Sequence, residues 1–278
     1  MSLKQLRSKK QPLIMGIVNV TDDSFSGDGL GENKEAIISR VESHLEGGAD
    51  LLDIGAVSTR PGSDPIPEAT ELKRITLALE IIKSRWPSAL LSVDTSSPMV
   101  MAASIEMGVH MINDVYAFRK DGALEVLRGS QVDLLMMHMQ GVPKTMQNKP
   151  NYGDVVQEVS DFLVERIDLL EKAGIDRDRV WIDPGFGFGK TMAHNYTLLR
   201  NLQQFSDVSS QICAGLSRKK MIAQAIGSES RSRVVGTVSA NLLAVLNGAR
   251  MLRVHDVQEA KDAVSVLYAY ENMGLIDV

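Results

Sequence analysis

Asp183-Pro184-Gly185-Phe186-Gly187-Phe188-Gly189-Lys190 decides how the chain is read. Val180-Trp181-Ile182 precede it as a short apolar run, so Asp183 stands where a buried strand ends. Its carboxylate projects from the strand's C-terminal end, the side on which α/β enzymes keep their chemistry. Spacing excludes two familiar glycine motifs. A phosphate-binding P-loop needs a glycine five positions before Gly189-Lys190-Thr191, where this chain has Pro184. A dinucleotide fingerprint needs a third glycine at Lys190. What remains is a turn whose bare backbone can lie against a flat ligand, or an ordinary βα turn that follows an Asp.

Outward from this turn, apolar runs alternate with helical patterns, as expected of parallel βαβ units. The runs are Leu13 to Val18, Leu51 to Ile54, Leu90 to Val93, Met111 to Ile112, Leu134 to Met137, Val180 to Ile182, Ile212 to Ala214 and Met251 to Val254. Helical character is legible in Glu35 to Glu46, Glu68 to Ser84, Pro98 to Met107, Val155 to Ala173, Arg233 to Leu246 and Val257 to Tyr270. Eight strands with following helices predict a closed (β/α)8 TIM barrel, an α/β fold, and an open doubly wound sheet is the fallback. One domain over residues 1–278, with 1–11 as an N-terminal tail, fits the length.

Polar or ionisable residues follow every run. In order they are Asn19, Asp53 with Thr59 and Arg60, Asp94, Asn113 with Asp114, His138, Asp183, Ser217 with Lys219, and Arg253 with His255. Asp53 and Asp114 read equally well as caps or turn formers. The set as a whole would converge on one rim of a barrel. Two long polar loops, Val20 to Asn33 and Ala56 to Pro67, are expected to be mobile and to serve that rim as lids. Gly141 to Gly153 reads as a solvated connector. Cys213, within an apolar run, reads as core, while His44 and His194 read as solvated helix positions.

Composition narrows the class. With 44% hydrophobic and 23% charged residues and a formal charge of −5, the chain has no basic surface for nucleic acid. One cysteine excludes an intramolecular disulfide and a cysteine-rich zinc site, and suits a reducing cytoplasm. The first ten residues lack the apolar core of a signal peptide, and no stretch approaches a membrane span.

With these residues placed, the chain resembles the dihydropteroate synthase family of pterin-binding barrels. The resemblance rests on Gly16-Ile17-Val18-Asn19-Val20-Thr21 with Asp23-Ser24-Phe25-Ser26, Ser58-Thr59-Arg60-Pro61-Gly62, Ser92-Val93-Asp94-Thr95, Ile112-Asn113-Asp114, Met137-His138-Met139-Gln140-Gly141, the Asp183 to Lys190 turn, Ser217-Arg218-Lys219 and Arg253-Val254-His255-Asp256. Asp22, Gly27-Asp28-Gly29 and Ala56-Val57 depart from the family's usual residues, all of them in the two long loops.

The resemblance implies a folate-pathway transferase in which the amine of 4-aminobenzoate displaces pyrophosphate from a 7,8-dihydropterin methyl diphosphate. It implies a pterin set of Asp94, Asn113, Met137, Asp183, Gly215 and Lys219, and a 4-aminobenzoate set of Phe25, Thr59, Arg60, Pro61, Phe188 and Ser217. Diphosphate falls to Asn19, Arg60, Arg253 and His255, with Asn19 also the contact for Mg²⁺. The catalytic positions are Asn19, Arg60, Lys219, Arg253 and His255. Ser217 with a helix beginning at Arg218 would offer donors to the aminobenzoate carboxylate. A cytoplasmic homodimer of a family targeted by sulfonamides completes the expectation. Competing readings are a pterin-binding methyltransferase using a methyl-folate, and an inactive pterin-binding homologue.

Overall fold

A computed structural model describes residues 7–21, 29–58, 66–228 and 230–272. Eight parallel strands form one sheet: β1 Leu13–Asn19, β2 Leu51–Gly55, β3 Leu91–Asp94, β4 Met111–Asp114, β5 Asp133–Met137, β6 Val180–Asp183, β7 Cys213–Ala214 and β8 Met251–Val254. Their order is β6-β5-β4-β3-β2-β1-β8-β7, and the Ile182–Ile212 bridge joins the two ends into a closed barrel. The helices between them are α1 Lys34–Glu46, α2 Glu68–Arg85, α3 Pro98–Glu106, α4 Ala123–Arg128, α5 Val155–Lys172, α6 Met192–Arg200, α7 Lys220–Ala225, α8 Val234–Leu246 and α9 Val257–Glu271.

Helix starts follow capping chemistry. Asn33 accepts from Ala36 N at α1, and Asp154 accepts from Val156 and Gln157 N at α5. Ser97 caps α3, whose first residue is Pro98. Thr191 and His194 form a reciprocal capping box at α6, so His194 is a half-buried cap residue.

Side chains alternate across each strand, and this alternation builds the site. Leu13, Met15, Leu51, Leu90, Met111, Leu135, Trp181, Cys213 and Met251 pack together as a cluster that fills the lower barrel. Two positions further along the same face come Asp53, Asn113, Met137, Asp183, Gly215 and Arg253. The larger apolar cluster lies between strands and helices. Below, Arg7 pairs with Asp133 at 3.2 Å and Lys9 with Asp50 at 2.5 Å, so the described part of the tail packs across the barrel floor.

Two expectations about single residues meet different outcomes. His44 is buried, not solvated: its Nε2 lies 2.8 Å from the Ile17 carbonyl and burial pushes its pKa down. Its ring takes the space beside Gly16, where a Cβ would stand 2.9 Å from His44 Cδ2. Cys213 is core as expected, and burial pushes its thiol pKa well up.

Candidate active site

The rim brings together Asn19, Asp94, Asn113, Met137, Asp183, Gly215, Ser217, Lys219, Arg253 and His255, all drawn from strand ends or the residues just after them. Phe25, Thr59, Arg60 and Pro61, with much of the two long polar loops, lie outside the described residues.

An ion-paired network crosses the barrel mouth. Arg253 Nε donates to Asp53 Oδ2 at 2.6 Å and its Nη2 to Asp94 Oδ2 at 2.8 Å. Asn113 Nδ2 donates to the same Asp53 oxygen at 3.0 Å. Burial raises the Asp94 carboxyl to about 7 against the pull of Arg253, with Asp53 and Asp114 adding to the rise. Asp53 and Asp94 together hold Arg253 charged, raising its pKa despite burial. Asp53 is therefore an inward strand residue in the middle of the site, which its reading as a cap or turn former missed. Asp114 does form a turn: it accepts from Tyr116 N at 2.8 Å and Phe118 N at 2.7 Å.

Asp183 and Lys219 face each other across Gly215. A Cβ at Gly215 would stand 3.3 Å from Asp183 Oδ2 and 3.7 Å from Lys219 Nζ, so a glycine there leaves room for both groups. Burial raises the Asp183 pKa while Lys219 opposes the rise. Burial lowers Lys219 to about 8, with Asp183 holding it up. A donor and an acceptor of opposite charge thus flank one gap.

The glycine turn after Asp183 is held carbonyl by carbonyl. Lys190 donates to Gly185 O at 2.9 Å and Phe188 O at 3.1 Å, Lys219 donates to Phe186 O, Gln147 to Gly187 O, and Tyr152 to Gly189 O at 3.0 Å. The third Lys190 contact is His138 Nδ1 at 2.9 Å. Burial lowers Lys190 to about 7 and His138 to about 2, so the imidazole stays neutral and accepts from the ammonium. Only glycine fits at 185: φ is 73° and a Cβ would fall 1.8 Å from His138 O. The Gly141 to Gly153 stretch is therefore not a free connector, since Gln147, Tyr152 and the buried Met146 dock it on the turn. Phe188 leaves the turn against Met137, Met139 and Met146, with Lys219 Nζ 4.7 Å from its ring centroid.

His255 and Ser217 join β8 to β7. His255 N donates to Ser217 Oγ at 3.1 Å, and Nδ1 lies 3.0 Å from the same oxygen. Ser217 can donate its proton to Nδ1, leaving Nε2–H to face a ligand. Burial lowers His255 to about 3, with Arg253 adding to the fall, so it acts as a neutral donor. The expected helix start at Arg218 is corrected: Arg218 has φ 56°, its N–H donates to Thr237 Oγ1 at 3.1 Å, and α7 begins at Lys220. Arg218 instead ties the loops together through Asp256, at 2.6 and 3.0 Å.

Donors for a divalent ion are sparse but of the right kind. A Cβ at Gly55 would stand 3.8 Å from Asn19 Oδ1 and 3.7 Å from Asp94 Oδ2, so two oxygens lie beside the same bare backbone position, one of them already accepting from Arg253. Among the described residues no cluster of three His, Cys, Asp or Glu could hold a metal. Such a set fits Mg²⁺ only where a substrate supplies further oxygens.

Comparison with known proteins agrees with this geometry. A family model described as pterin binding enzyme matches residues 15–255. The dihydropteroate synthase of Escherichia coli K12 is 40% identical over 258 residues, 93% of this chain and 91% of the relative. A Xanthomonas albilineans dihydropteroate synthase solved with 4-aminobenzoic acid is 45% identical with a TM-score of 0.86 over 94% of both chains. That of Burkholderia cenocepacia, solved with 7,8-dihydropteroate, is 40% identical with a TM-score of 0.85 over 96% of this chain and 94% of its own. The chain belongs to the pterin-binding enzyme family, and within it to the dihydropteroate synthases.

Proposed function

We propose that the rim performs the dihydropteroate synthase reaction through the following division of labour. The amine of 4-aminobenzoate displaces pyrophosphate from the dihydropterin methyl diphosphate, giving 7,8-dihydropteroate. The observation that carries this reading is the placement of Asp94, Asn113, Asp183 and Lys219 on one inward rim beside Arg253 and His255. A pterin has a donor-rich edge and an acceptor edge, and buried carboxylates and an amide opposite a cation complement both. Lys219 engages Phe186 O without ligand and turns to the ring's acceptor edge when the pterin enters.

Arg253 and the neutral Nε2–H of His255 receive the diphosphate, stabilising charge as the C–O bond breaks. The dihydropterin ring shares the positive charge left on the methylene carbon, so the path is dissociative and needs no covalent nucleophile; the amine then closes the C–N bond and loses its proton. Mg²⁺ would be held by Asn19 and by diphosphate oxygens, and it would neutralise leaving-group charge. Phe188 forms one wall of the aminobenzoate slot, with Phe25, Thr59, Arg60 and Pro61 completing it from the long loops, and Ser217 fixes His255 beside it.

A methyltransferase would not need the Arg253 and His255 pair, which favours the synthase. Exposed Val235, Leu243 and Leu246 on α8 and Val266 and Tyr270 on α9 support a homodimer through these late helices. Among the described residues no helix is long and apolar enough to cross a membrane, which accords with a cytoplasmic enzyme.

Turnover tests the reading. With Mg²⁺, dihydropteroate and pyrophosphate are expected only when both substrates are present, or pyrophosphate slowly from the pterin alone if departure precedes attack. Removing Mg²⁺ with EDTA should stop turnover and leave binding of a bare pterin unchanged. Bound pterin diphosphate without any product would overturn the synthase reading.

A further inference from the structure

We propose that Asp53 is a positioning residue that sets pterin selectivity by fixing which end of the Asn113 amide faces the ligand; the inference rests on the pterin reading above. Asp53 is fully buried on β2, and its Oδ2 receives both Asn113 Nδ2 at 3.0 Å and Arg253 Nε at 2.6 Å. Its Oδ1 is buried without a partner among the described residues, so Oδ2 carries all its bonding.

A carboxylate beside a guanidinium is an acceptor only. Of the two nearly isosteric ends of the Asn113 amide, only the NH₂ end can therefore face Asp53. The Oδ1 end is turned away and offered as an acceptor, which selects a ring bearing an N–H there. Turning the amide over would bring its oxygen against the Asp53 carboxylate, leaving two buried acceptors in contact. Arg253 fixes Asp53 in turn, and Asp94 fixes Arg253 at 2.8 Å, so the polarity of Asn113 is anchored by a chain of contacts that spans four strands.

Substitution can release this constraint. In Asp53→Leu no acceptor faces the amide, and Asn113 can adopt both orientations. Asp53→Asn is the conservative counterpart: Arg253 Nε, a donor only, holds the introduced amide's oxygen at the Oδ2 position, where that oxygen still accepts from Asn113 Nδ2 and the polarity is kept.

The experiment is calorimetric titration of the full chain with two probes, 6-hydroxymethyl-7,8-dihydropterin and the matching 2,4-dioxo ring, whose 2-position is an acceptor. Selectivity for the 2-amino ring is expected to fall about 100-fold in Asp53→Leu, the effect of no longer leaving one buried group unpaired against the wrong ring. Asp53→Asn should keep selectivity to within about tenfold of the original. An equal loss of affinity for both probes in Asp53→Leu, or a loss of selectivity as large in Asp53→Asn, would overturn the proposal. Should Asp53→Leu not fold, the smaller Asp53→Ala replaces it in the same comparison. Failure of the unsubstituted chain to bind either probe would instead remove the pterin reading itself.

Discussion

At the scale of single residues, the site works by giving each polar atom one task. Arg253 is both a diphosphate contact and the tie between Asp53 and Asp94. Arg253→Ala is accordingly expected to weaken a bare dihydropterin about tenfold through the loosened carboxylates, and the diphosphate at least about 100-fold. Calorimetry with the two ligands checks it, and equal losses would place Arg253 on the ring alone. Strand-end residues two apart share a face, a rule that places Asp53, Asn113, Asp183 and Arg253 alike from their apolar partners at 51, 111, 181 and 251. For Asp53 the reading as a cap or turn former stayed open beside it, because the partner that decides between them, Arg253, stands two hundred positions away in the chain. His44 shows the same blindness, since its helix pattern does not reveal that its ring fills the space beside Gly16.

At the scale of elements, the glycine turn is the part most dependent on others. Its carbonyls are held by side chains from the β5–α5 connection, from just before α7 and from Lys190 itself. Lys190→Met removes three hydrogen bonds, two of them to turn carbonyls, and should free Phe188 more than Asp183. We expect the KM for 4-aminobenzoate to rise about tenfold and the pterin Kd to move by less than about threefold, measured by initial rates and calorimetry. A uniform loss in both would mean that Lys190 only supports folding. The sequence showed the long amphipathic helices, whose periodicity runs for several turns, and also α3, whose nine residues begin at Pro98. It hid α4, α6 and α7, which span 6, 9 and 6 residues. Helices this short owe their form to packing and caps rather than to a repeated apolar stripe.

At the scale of the whole molecule, closure of the barrel makes eight separate strand ends into one site, and it buries titratable groups that titrate freely when the chain unfolds. His138 has a folded pKa of about 2 against an ordinary value of 6.5, so its contribution to stability is complete above pH 6.5 and is lost as pH falls. Relative to His138→Gln, the unsubstituted chain should lose about 1.4 kcal/mol of unfolding free energy per pH unit below about pH 6, read by urea melts at about pH 6 and 5. Parallel melts at the two pH values would show that His138 is protonated in the fold. The barrel itself was legible from the count and order of apolar runs, whereas its closure depends on the single Ile182–Ile212 bridge beside a two-residue strand, too short to carry a pattern. That the closed rim reads a pterin ring is tested most directly by titrating 6-hydroxymethyl-7,8-dihydropterin into the unsubstituted chain and into Asp183→Ala, with circular dichroism on both. The account predicts binding to the first, at least about 100-fold weaker binding to the second, and superimposable spectra; equal affinity for the two would contradict it.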